Sequence, residues 1–368
     1  MMRVLHVVGA RPNFMKTAPI MAEMAKRPGA FEQQLVHTGQ HYDVNMSDAF
    51  FADLALPAPD VTLGVGSGSH AEQTARVMMA IEPFLLQYKP DLVVVVGDVN
   101  STLAATLVAA KIGLRVAHVE AGLRSRDRTM PEEINRILTD QMADLLFTTE
   151  ESANDNLAHE GIPEHRIHFV GNVMIDSLLR SLPLAARSTI VERLSLSAGR
   201  YAVVTLHRPF NVDEPTTLHE ILAALGELAR DLPVIFSVHP RTRERIAALG
   251  FRAEGSNLRL IAPLGYVDFL RLYSAAALVL TDSGGLQEET TYLDIPCLTL
   301  RPTTERPVTL TLGTNRLVAS ERDAIVRAAR ASLDRGATDH KSPPPFWDGH
   351  AAARIVDLLL SDPSGRAR

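Results

Sequence analysis

Short apolar runs alternate along the chain with segments that have a helical pattern. The clearest run, Leu92–Val96, is apolar at every position, as is typical of a parallel strand that is buried on both faces. It ends at Gly97-Asp98, and a helix is predicted over Ser101–Lys111. A second run, Arg115–Val119, ends at Glu120, so the strand, helix and strand predict one right-handed crossover unit.

The same alternation occurs twice, on either side of a largely helical segment over Met174–Gly199, where we expect the domain boundary. It predicts an α/β fold of two doubly wound, Rossmann-like sheets that face each other across a cleft and bind a ligand long enough to span it. Further strands are predicted at Val4–Val8, Gln34–Val36, Asp144–Thr148, Ile167–Val170, Tyr201–Leu206, Val234–Val238, Leu258–Ile261 and Leu278–Leu280.

Acidic residues follow the two strands of the crossover unit. Asp98 and Glu120 each end a predicted strand, and Glu132-Glu133 follow a loop of alternating Arg and Asp. Carboxylates at the carboxyl ends of parallel strands lie on the rim where open α/β sheets bind ligands. The alternative is structural: Asp98 caps the next helix, and the glutamates after Pro131 stabilise a helix N-terminus.

Two further strand ends have the chemistry of a phosphate site. Arg11 and Lys16 follow the first strand, although a lone lysine is more often a solvated surface charge. In Asp282–Gly285 the glycines permit close backbone approach, and the helix that follows presents its N-terminus to an anion; the alternative is a plain strand-to-helix turn. Glu289 is suited to ribose hydroxyls, and Arg306 supplies a counter-charge.

His207 follows a buried strand and precedes Arg208, in an exposed setting where an imidazole could exchange protons. A single histidine is more often structural than catalytic. No Walker lysine motif, dinucleotide-binding fingerprint or metal-spaced Cys/His set occurs in the sequence.

Length, charge and cysteine content narrow the class of protein. The 368 residues suggest two or three domains. The net charge of -6 argues against a nucleic-acid or membrane-surface partner, and no apolar run reaches the ~20 residues of a membrane helix. Cys297 is the single cysteine, so no intrachain disulfide can form and a cytoplasmic location is expected.

Several motifs together resemble those of the non-hydrolysing UDP-N-acetylglucosamine 2-epimerases. In order, they are GARPNFMKTAPI, TGQHYD, GDVNST, HVEAGLRS, MPEEINR, LHRPFNVD, TDSGGLQEE and TTERP, and they extend from about Arg3 to Val318. The resemblance implies a fold like that of the GT-B glycosyltransferases. It places the sugar site in an N-terminal domain over residues 1–173, joined by a C-terminal helix over 349–361, and UDP in a C-terminal domain over 174–348. It also implies a homodimer that needs no metal or nicotinamide.

The resemblance further implies a mechanism in which UDP is eliminated to give 2-acetamidoglucal and is then added back with protonation on the opposite face of carbon 2. Asp98, Glu120 and Glu132 match the acid-base carboxylates, and which is base and which is acid stays open. His207 matches a residue near the diphosphate that aids its departure. The matching substrate-binding positions are Arg11, Lys16, Ser283, Gly284, Gly285, Glu289 and Arg306.

The chain departs from the family pattern at Phe210, where an acid is common, and in TGQHYD and HPRTR. Two of these regions form a second, activating substrate site in some bacterial members. The departures argue against such activation, although Gln40, Arg208 and His239 are retained. A variant sugar such as a 2,3-diacetamido uronic acid, a GT-B glycosyltransferase and a non-catalytic nucleotide-sugar-binding module are the alternatives.

Overall fold

The computed structural model describes residues 1–39, 56–251, 257–334 and 342–362. The chain divides into two compact units. Unit 1 comprises Met1–Leu179 and Pro345–Arg368, and unit 2 comprises Arg180–Pro344.

Unit 1 is built on a seven-stranded parallel sheet with the order β3-β2-β1-β4-β5-β6-β7. Its strands are β1 Met2–Val8, β2 Phe31–His37, β3 Val61–Thr62, β4 Leu92–Val96, β5 Val116–Ala121, β6 Leu145–Thr148 and β7 Ile167–Phe169. Its helices are α1 Arg11–Ala25, α2 His70–Tyr88, α3 Asn100–Lys111, α4 Pro131–Met142, α5 Glu151–His159, α6 Val173–Ala185 and, far along the chain, α15 Ala351–Ser361.

Unit 2 contains a six-stranded parallel sheet with the order β10-β9-β8-β11-β12-β13. Its strands are β8 Ala202–Thr205, β9 Val234–Ser237, β10 Leu258–Ile261, β11 Leu278–Thr281, β12 Cys297–Thr299 and β13 Asn315–Leu317. Its helices are α7 Ile190–Arg193, α8 Pro209–Val212, α9 Pro215–Leu228, α10 Pro240–Ala248, α11 Tyr266–Ser274, α12 Gly284–Tyr292, α13 Val308–Thr311 and α14 Arg322–Asp334.

The central strands are apolar at every position because helices cover both faces of each sheet. In β4, Val94 and Val96 belong to one apolar cluster, while Val93 and Val95 belong to another on the opposite face. Successive side chains of a strand point to opposite faces, so a two-sided core needs an unbroken apolar run. The Leu92–Val96 pattern is therefore read correctly as a strand buried on both faces.

Helix α15 packs into the core of unit 1 although it follows unit 2 in the sequence. Its Ile355 and Val356 are fully buried beside residues of β1 and β4. The carboxylate of Asp176 accepts hydrogen bonds from the backbone N–H groups of Ala351 and Ala352, at 3.2 and 2.8 Å. This side chain from α6 satisfies N–H groups in the first turn of α15, which have no partner within their own helix.

The predicted α/β class, with two parallel sheets and alternating helices, is confirmed. Two local predictions are wrong. Glu120 lies inside β5 rather than after it. The segment Met174–Gly199 is only partly helical, since α6 ends at Ala185 and α7 is a single turn.

Within the described ranges, no helix is long and apolar enough to cross a membrane.

Candidate active site

Each sheet has a switch point, where the strand order reverses and the loops after neighbouring strands part to opposite sides. In unit 1 it lies between β1 and β4, beside the loops 9–10 and 97–99; in unit 2 it lies between β8 and β11, beside the loops 206–208 and 282–283. Open α/β sheets bind ligands outside the carboxyl ends of the strands at such points. The loops that carry Asp98, His207 and Ser283 occupy these positions.

Asp98 is held by a buried arginine. Its Oδ2 lies 2.7 Å from Nη2 of Arg136, which is only 2% exposed, whereas the Asp98 side chain is 22% exposed. Nη1 of the same guanidinium lies 2.6 Å from Oε2 of Glu133. Asp98 is not the cap of α3: that position is Val99, and no side chain caps there. One oxygen of the Asp98 carboxylate is therefore held by Arg136, and the side chain still reaches solvent. A group that exchanges a proton with a ligand needs such access.

Glu120 has an unusual backbone conformation. Its φ is +71°, and the pairing of β5 with β6 shifts register between Val119 and Ala121. A non-glycine residue with positive φ inside a strand costs free energy, which the surrounding contacts must offset. Such irregularities occur next to active sites, where they redirect a side chain.

The redirected Glu120 side chain meets a buried lysine. Its Oε2 lies 2.6 Å from Nζ of Lys16, and both side chains are nearly inaccessible. Gly97, whose φ is +66°, lies next to both side chains: a Cβ placed there would lie 3.0 Å from Nζ of Lys16 and 4.0 Å from Oε1 of Glu120. The structure thus brings Lys16, Glu120 and the Gly97-Asp98 turn together, although they come from three different segments.

Glu132 lies in the first turn of α4 and is half-buried. It stands one turn before Asn135 and Arg136, on the same side of the helix. Asn135 donates its Nδ2–H to the backbone carbonyl of Asp98 at 2.9 Å. Glu132 therefore belongs to the helix that holds Asp98 in place.

Two predicted residues cannot be placed fully. Arg11 begins α1, directly after the β1 loop, but its side chain lies outside the described part of the structure. Gln40, proposed for a second site, lies outside the described residues altogether.

At the switch point of unit 2, Asp282 organises the loop that carries His207 and Arg208. Its carboxylate lies 2.9 Å from Nδ1 of His207 and accepts hydrogen bonds from the backbone N–H groups of His207 and Arg208. Although burial opposes ionisation, the contacts with His207, Asn211 and the Arg208 backbone leave the pKa of Asp282 below its usual value. The His207 ring is half-exposed, so Asp282 orients an imidazole that solvent and ligands can reach.

The glycines that begin α12 lie against an arginine. A Cβ on Gly284 would lie 2.5 Å from Nη1 of Arg306, so only glycine fits there without moving the guanidinium. Nε of Arg306 lies 2.8 Å from Oε1 of Glu288, and Nη1 pairs with Glu305. Ser283 is the N-cap residue, and its side chain makes no cap hydrogen bond. A helix N-terminus, glycines that permit close backbone approach and a nearby arginine are features that an anion site uses.

Glu289 is buried beneath this site and accepts hydrogen bonds from two tyrosines. Its Oε1 lies 2.6 Å from the hydroxyl of Tyr266, and its Oε2 lies 2.8 Å from that of Tyr273. Burial raises the pKa of Glu289 to about 7, although both hydroxyl contacts act in the opposite direction. Each carboxylate oxygen has a second lone pair, so the group retains acceptor capacity for a ligand hydroxyl.

The other two second-site residues follow neighbouring strands. Arg208 is the N-cap residue of α8, after β8. His239 is the N-cap residue of α10, after β9, and its ring accepts a hydrogen bond from the backbone of Arg241.

Four residues of the site have roles that were not predicted from the sequence: Arg136, Asp282, Tyr266 and Tyr273. Arg136 and Asp282 stand inside recognised motifs, as the last residue of MPEEINR and the second of TDSGGLQEE, and each could have been selected as the partner of a nearby predicted site residue. The tyrosines had no such signal, because their partner Glu289 lies beyond the next strand in the sequence.

Among the described residues, no cluster of three or more His, Cys, Asp or Glu side chains is arranged to hold a metal ion.

Comparison with known proteins gives one answer. The family model described as UDP-N-acetylglucosamine 2-epimerase matches residues 22–360. The chain is 43% identical over 366 residues to the UDP-N-acetylglucosamine 2-epimerase of Methanocaldococcus jannaschii, covering 97% of this chain and 99% of the relative. It is also 43% identical over 361 residues to the UDP-2,3-diacetamido-2,3-dideoxy-D-glucuronate 2-epimerase of Pseudomonas aeruginosa, with the same coverage.

Solved structures agree. The crystal structure of the M. jannaschii UDP-GlcNAc 2-epimerase in complex with UDP-GlcNAc and UDP superposes with a TM-score of 0.90 at 41% identity, covering 98% of this chain and 100% of that one. The glycosyltransferase SnogD from Streptomyces nogalater superposes with a TM-score of 0.54 at 17% identity over 97% of this chain and 99% of that one, a likeness of fold alone. The chain is an epimerase, and it belongs to the UDP-N-acetylglucosamine 2-epimerase family.

Proposed function

We propose that the protein interconverts UDP-N-acetylglucosamine and UDP-N-acetylmannosamine by eliminating UDP and adding it back. The observation that carries the proposal is the grouping of Asp98, Glu120 and Lys16 at the switch point of unit 1. In a chain of this family, two carboxylates held at the same place have the chemistry needed to remove a proton from carbon 2 and return one to the other face.

The acid-base part of the reaction belongs to unit 1. Carbon 2 lacks an adjacent carbonyl, so its proton leaves only as the bond to UDP breaks. The ammonium of Lys16 lies 2.6 Å from Glu120, and the guanidinium of Arg136 lies 2.7 Å from Asp98, so each carboxylate is held in place by a cation. Glu132, on the helix that holds Asp98, is the third proposed acid-base group. Which carboxylate acts as base and which as acid stays open.

Binding of the departing UDP is assigned to unit 2. The N-terminus of α12 and Arg306 are proposed to bind the diphosphate as its negative charge develops, which is where electrostatic stabilisation lowers the barrier. His207, oriented by Asp282, lies on the neighbouring loop and aids departure. Glu289 is proposed to accept hydrogen bonds from the ribose.

One experiment tests the reaction. The protein is incubated with UDP-N-acetylglucosamine in deuterated water, and carbon 2 is followed by NMR. We expect deuterium at carbon 2 and the appearance of the manno product. Retention of hydrogen at carbon 2 with no manno product would rule out UDP-N-acetylglucosamine as the substrate.

A second sugar is tested in parallel, because a relative of equal identity is named as a 2-epimerase of UDP-2,3-diacetamido-2,3-dideoxy-D-glucuronate. The substrate with the higher kcat/KM is the preferred one. UDP binding without isotope exchange on either sugar would favour a non-catalytic binding module, and transfer of the sugar to an acceptor would favour a glycosyltransferase.

We further propose a homodimer. Helix α4 exposes Ile134, Leu138 and Met142, four residues apart and 46%, 43% and 43% exposed, and such a row of large apolar side chains favours a protein partner. A dimer mass in light scattering would support this, and Leu138→Arg should reduce the mass to that of the monomer.

The product is proposed to supply activated sugar for the synthesis of cell-surface polysaccharide. The protein is proposed to act in the cytoplasm, a compartment that suits the single buried thiol of Cys297.

A further inference from the structure

The turn that carries Asp98 is held from beneath by a buried histidine that none of the proposed steps uses. Nε2 of His118 lies 2.8 Å from the carbonyl oxygen of Gly97, and Nδ1 lies 2.6 Å from Oδ1 of Asp140. Both side chains are completely inaccessible. His118 therefore links the proposed catalytic turn to a carboxylate in the interior of unit 1.

The partners fix which ring atoms carry hydrogen. The Gly97 carbonyl only accepts, so Nε2 of His118 must donate. Asp140 also accepts from the backbone N–H of Gly122 at 3.0 Å and pairs with Arg124 at 2.7 Å. Although burial opposes ionisation, the neighbouring His118 and Arg124 leave the pKa of Asp140 below its usual value. Both ring nitrogens of His118 thus lie within hydrogen-bond distance of a group that is itself held in place.

Arg124 joins this interior group to a second carboxylate. It forms two hydrogen bonds with Glu160, at 2.8 and 2.6 Å. Asp140 is therefore held by Arg124 and the Gly122 backbone as well as by His118, so its position relative to the His118 ring is strongly constrained.

The carbonyls on either side of Gly97 are held as well. The carbonyl of Val96 accepts from Asn13 and from Thr102, both at 2.9 Å, and the carbonyl of Asp98 accepts from Asn135 at 2.9 Å. Three successive peptide groups are thus fixed by side chains at the point where Gly97 has a positive φ. A single loose peptide there would rotate the Asp98 carboxylate away from its target.

We propose that His118 and Asp140 form a positioning pair for the reaction: Asp140 orients the His118 ring, and the ring fixes the Gly97 peptide so that Asp98 and the Lys16–Glu120 pair keep their relative geometry. The proposal rests on the proposed acid-base role of Asp98. Neither residue touches the reacting atoms, and their effect is on how often the site is correctly assembled.

Two substitutions separate the two hydrogen bonds of the ring. The amide nitrogen of glutamine lies near the position of Nε2, so His118→Gln keeps a donor for Gly97 and loses the one to Asp140. The amide nitrogen of asparagine lies near Nδ1, so His118→Asn does the reverse. A 1 Å misplacement costs up to about 100-fold in rate, so we expect His118→Asn to lower kcat by about 10- to 100-fold while UDP affinity is unchanged. His118→Gln, which keeps the donor to Gly97 and loses only the contact with Asp140, should lose less kcat than His118→Asn.

Glu160→Gln is the matched control, because it disturbs the same interior group without touching His118 or Gly97; its kcat should be that of the wild type. If His118→Asn loses no more kcat than His118→Gln, the proposal is overturned, since a role in stability alone would not distinguish the two atoms. If His118→Asn does not fold, Asp140→Asn answers the same question: it removes the charged acceptor, and full kcat in that variant would overturn the proposal.

A readout without substrate separates this proposal from the proposed function. The backbone amide resonances of Gly97 and Asp98 in deuterated, 15N-labelled protein report the turn directly. We expect them to shift and broaden most in His118→Asn, to change less in His118→Gln, and to stay in place in Glu160→Gln. Unchanged resonances in His118→Asn would overturn the positioning role. If the wild type proves inactive on both sugars while these resonances behave as expected, the proposed function fails and the structural pair stands.

Discussion

The two switch points have the same strand arrangement, and they expose groups of different kinds. In unit 1 Lys16 contacts Glu120, Arg136 contacts both Asp98 and Glu133, and the Asp98 side chain is 22% exposed. In unit 2 Arg306 contacts Glu288 and Glu305, which are buried, and Arg301 also contacts Glu305, while the His207 ring is half-exposed. The donors that remain for a ligand in unit 2 include the backbone N–H groups of the α12 N-terminus, which have no partner within their own helix. The first arrangement presents a carboxylate to solvent, and the second presents an imidazole and backbone donors.

The difference shows how one topology supports two kinds of chemistry. The loops after the strands decide which side chains meet, while the sheets beneath supply the same apolar platform. Variants in unit 1 should therefore change the rate of proton exchange with little effect on UDP affinity, whereas variants in unit 2 should change UDP affinity first.

The largest effect is expected for Asp98→Asn. The amide cannot take up or release the proton, so kcat should fall by about 100- to 10,000-fold while UDP affinity is retained. Epimerisation measured by NMR and UDP binding measured by calorimetry test both parts. Asp127→Asn, at an acid whose carboxylate accepts hydrogen bonds from the backbone N–H and the hydroxyl of Thr129, is the control and should be fully active. Unchanged turnover in Asp98→Asn would remove Asp98 from the mechanism.

Gly284→Ala should have the complementary effect. The new Cβ would lie 2.5 Å from Nη1 of Arg306, so the guanidinium must move and the backbone can no longer approach a phosphate. Losing one charge-assisted contact should raise the dissociation constant of UDP by about 10- to 100-fold. Gly226→Ala is the matched control, because a Cβ there meets nothing within 4 Å. Equal UDP binding by the two variants would contradict the proposed diphosphate site.

A smaller effect is expected from Glu289→Gln on stability. Burial raises the pKa of Glu289 to about 7 from an ordinary value of 4.5. The folded protein therefore binds the extra proton between these values, and the free energy of unfolding falls as pH rises through 7. Glutamine does not titrate, so the variant should gain a few degrees in Tm relative to the wild type as pH rises from 5.5 to 8.5 without UDP. A constant difference in Tm across this range would contradict the raised pKa.

The smallest effect is expected from Asp176→Asn in unit 1. Burial raises the pKa of Asp176 to about 6, although the N–H groups of Ala352 and Ala351 act against this. Its contribution to stability is present below about pH 4 and is lost as pH rises through 6. The variant should lack this part of the pH dependence of Tm, whereas Asp357→Asn, on an exposed face of helix α15, should retain it. Identical pH profiles for both variants would argue against titration of Asp176.

The sequence predicts the sheets well because the cause of each strand is local. A run such as Leu92–Val96 needs only its own apolar side chains to indicate burial on both faces. The glycines Gly97 and Gly284 are also informative, since positive φ or close approach demands them. For the same reason, the strand ends that carry candidate catalytic and binding residues could be found from the sequence alone.

The pairings in the site could not be predicted in this way, because they join segments that are distant in the sequence. Nothing near Lys16 indicates Glu120, and nothing near Glu289 indicates Tyr266 or Tyr273. The irregular backbone of Glu120 has no local signal either, because glycine is the usual residue at positive φ. These features arise only when the loops of neighbouring strands are brought together.

The place of α15 in the core of unit 1 has a consequence for biosynthesis. Unit 2 is one continuous stretch of the chain, whereas unit 1 is interrupted by it. A chain made from its N-terminus therefore exposes all of unit 2 to folding before Ile355 and Val356 exist to fill the unit 1 core. Until then the apolar face of the first sheet that includes Val94 and Val96 lacks part of its cover. The proposed acid-base unit, although begun first on the ribosome, is the one completed last.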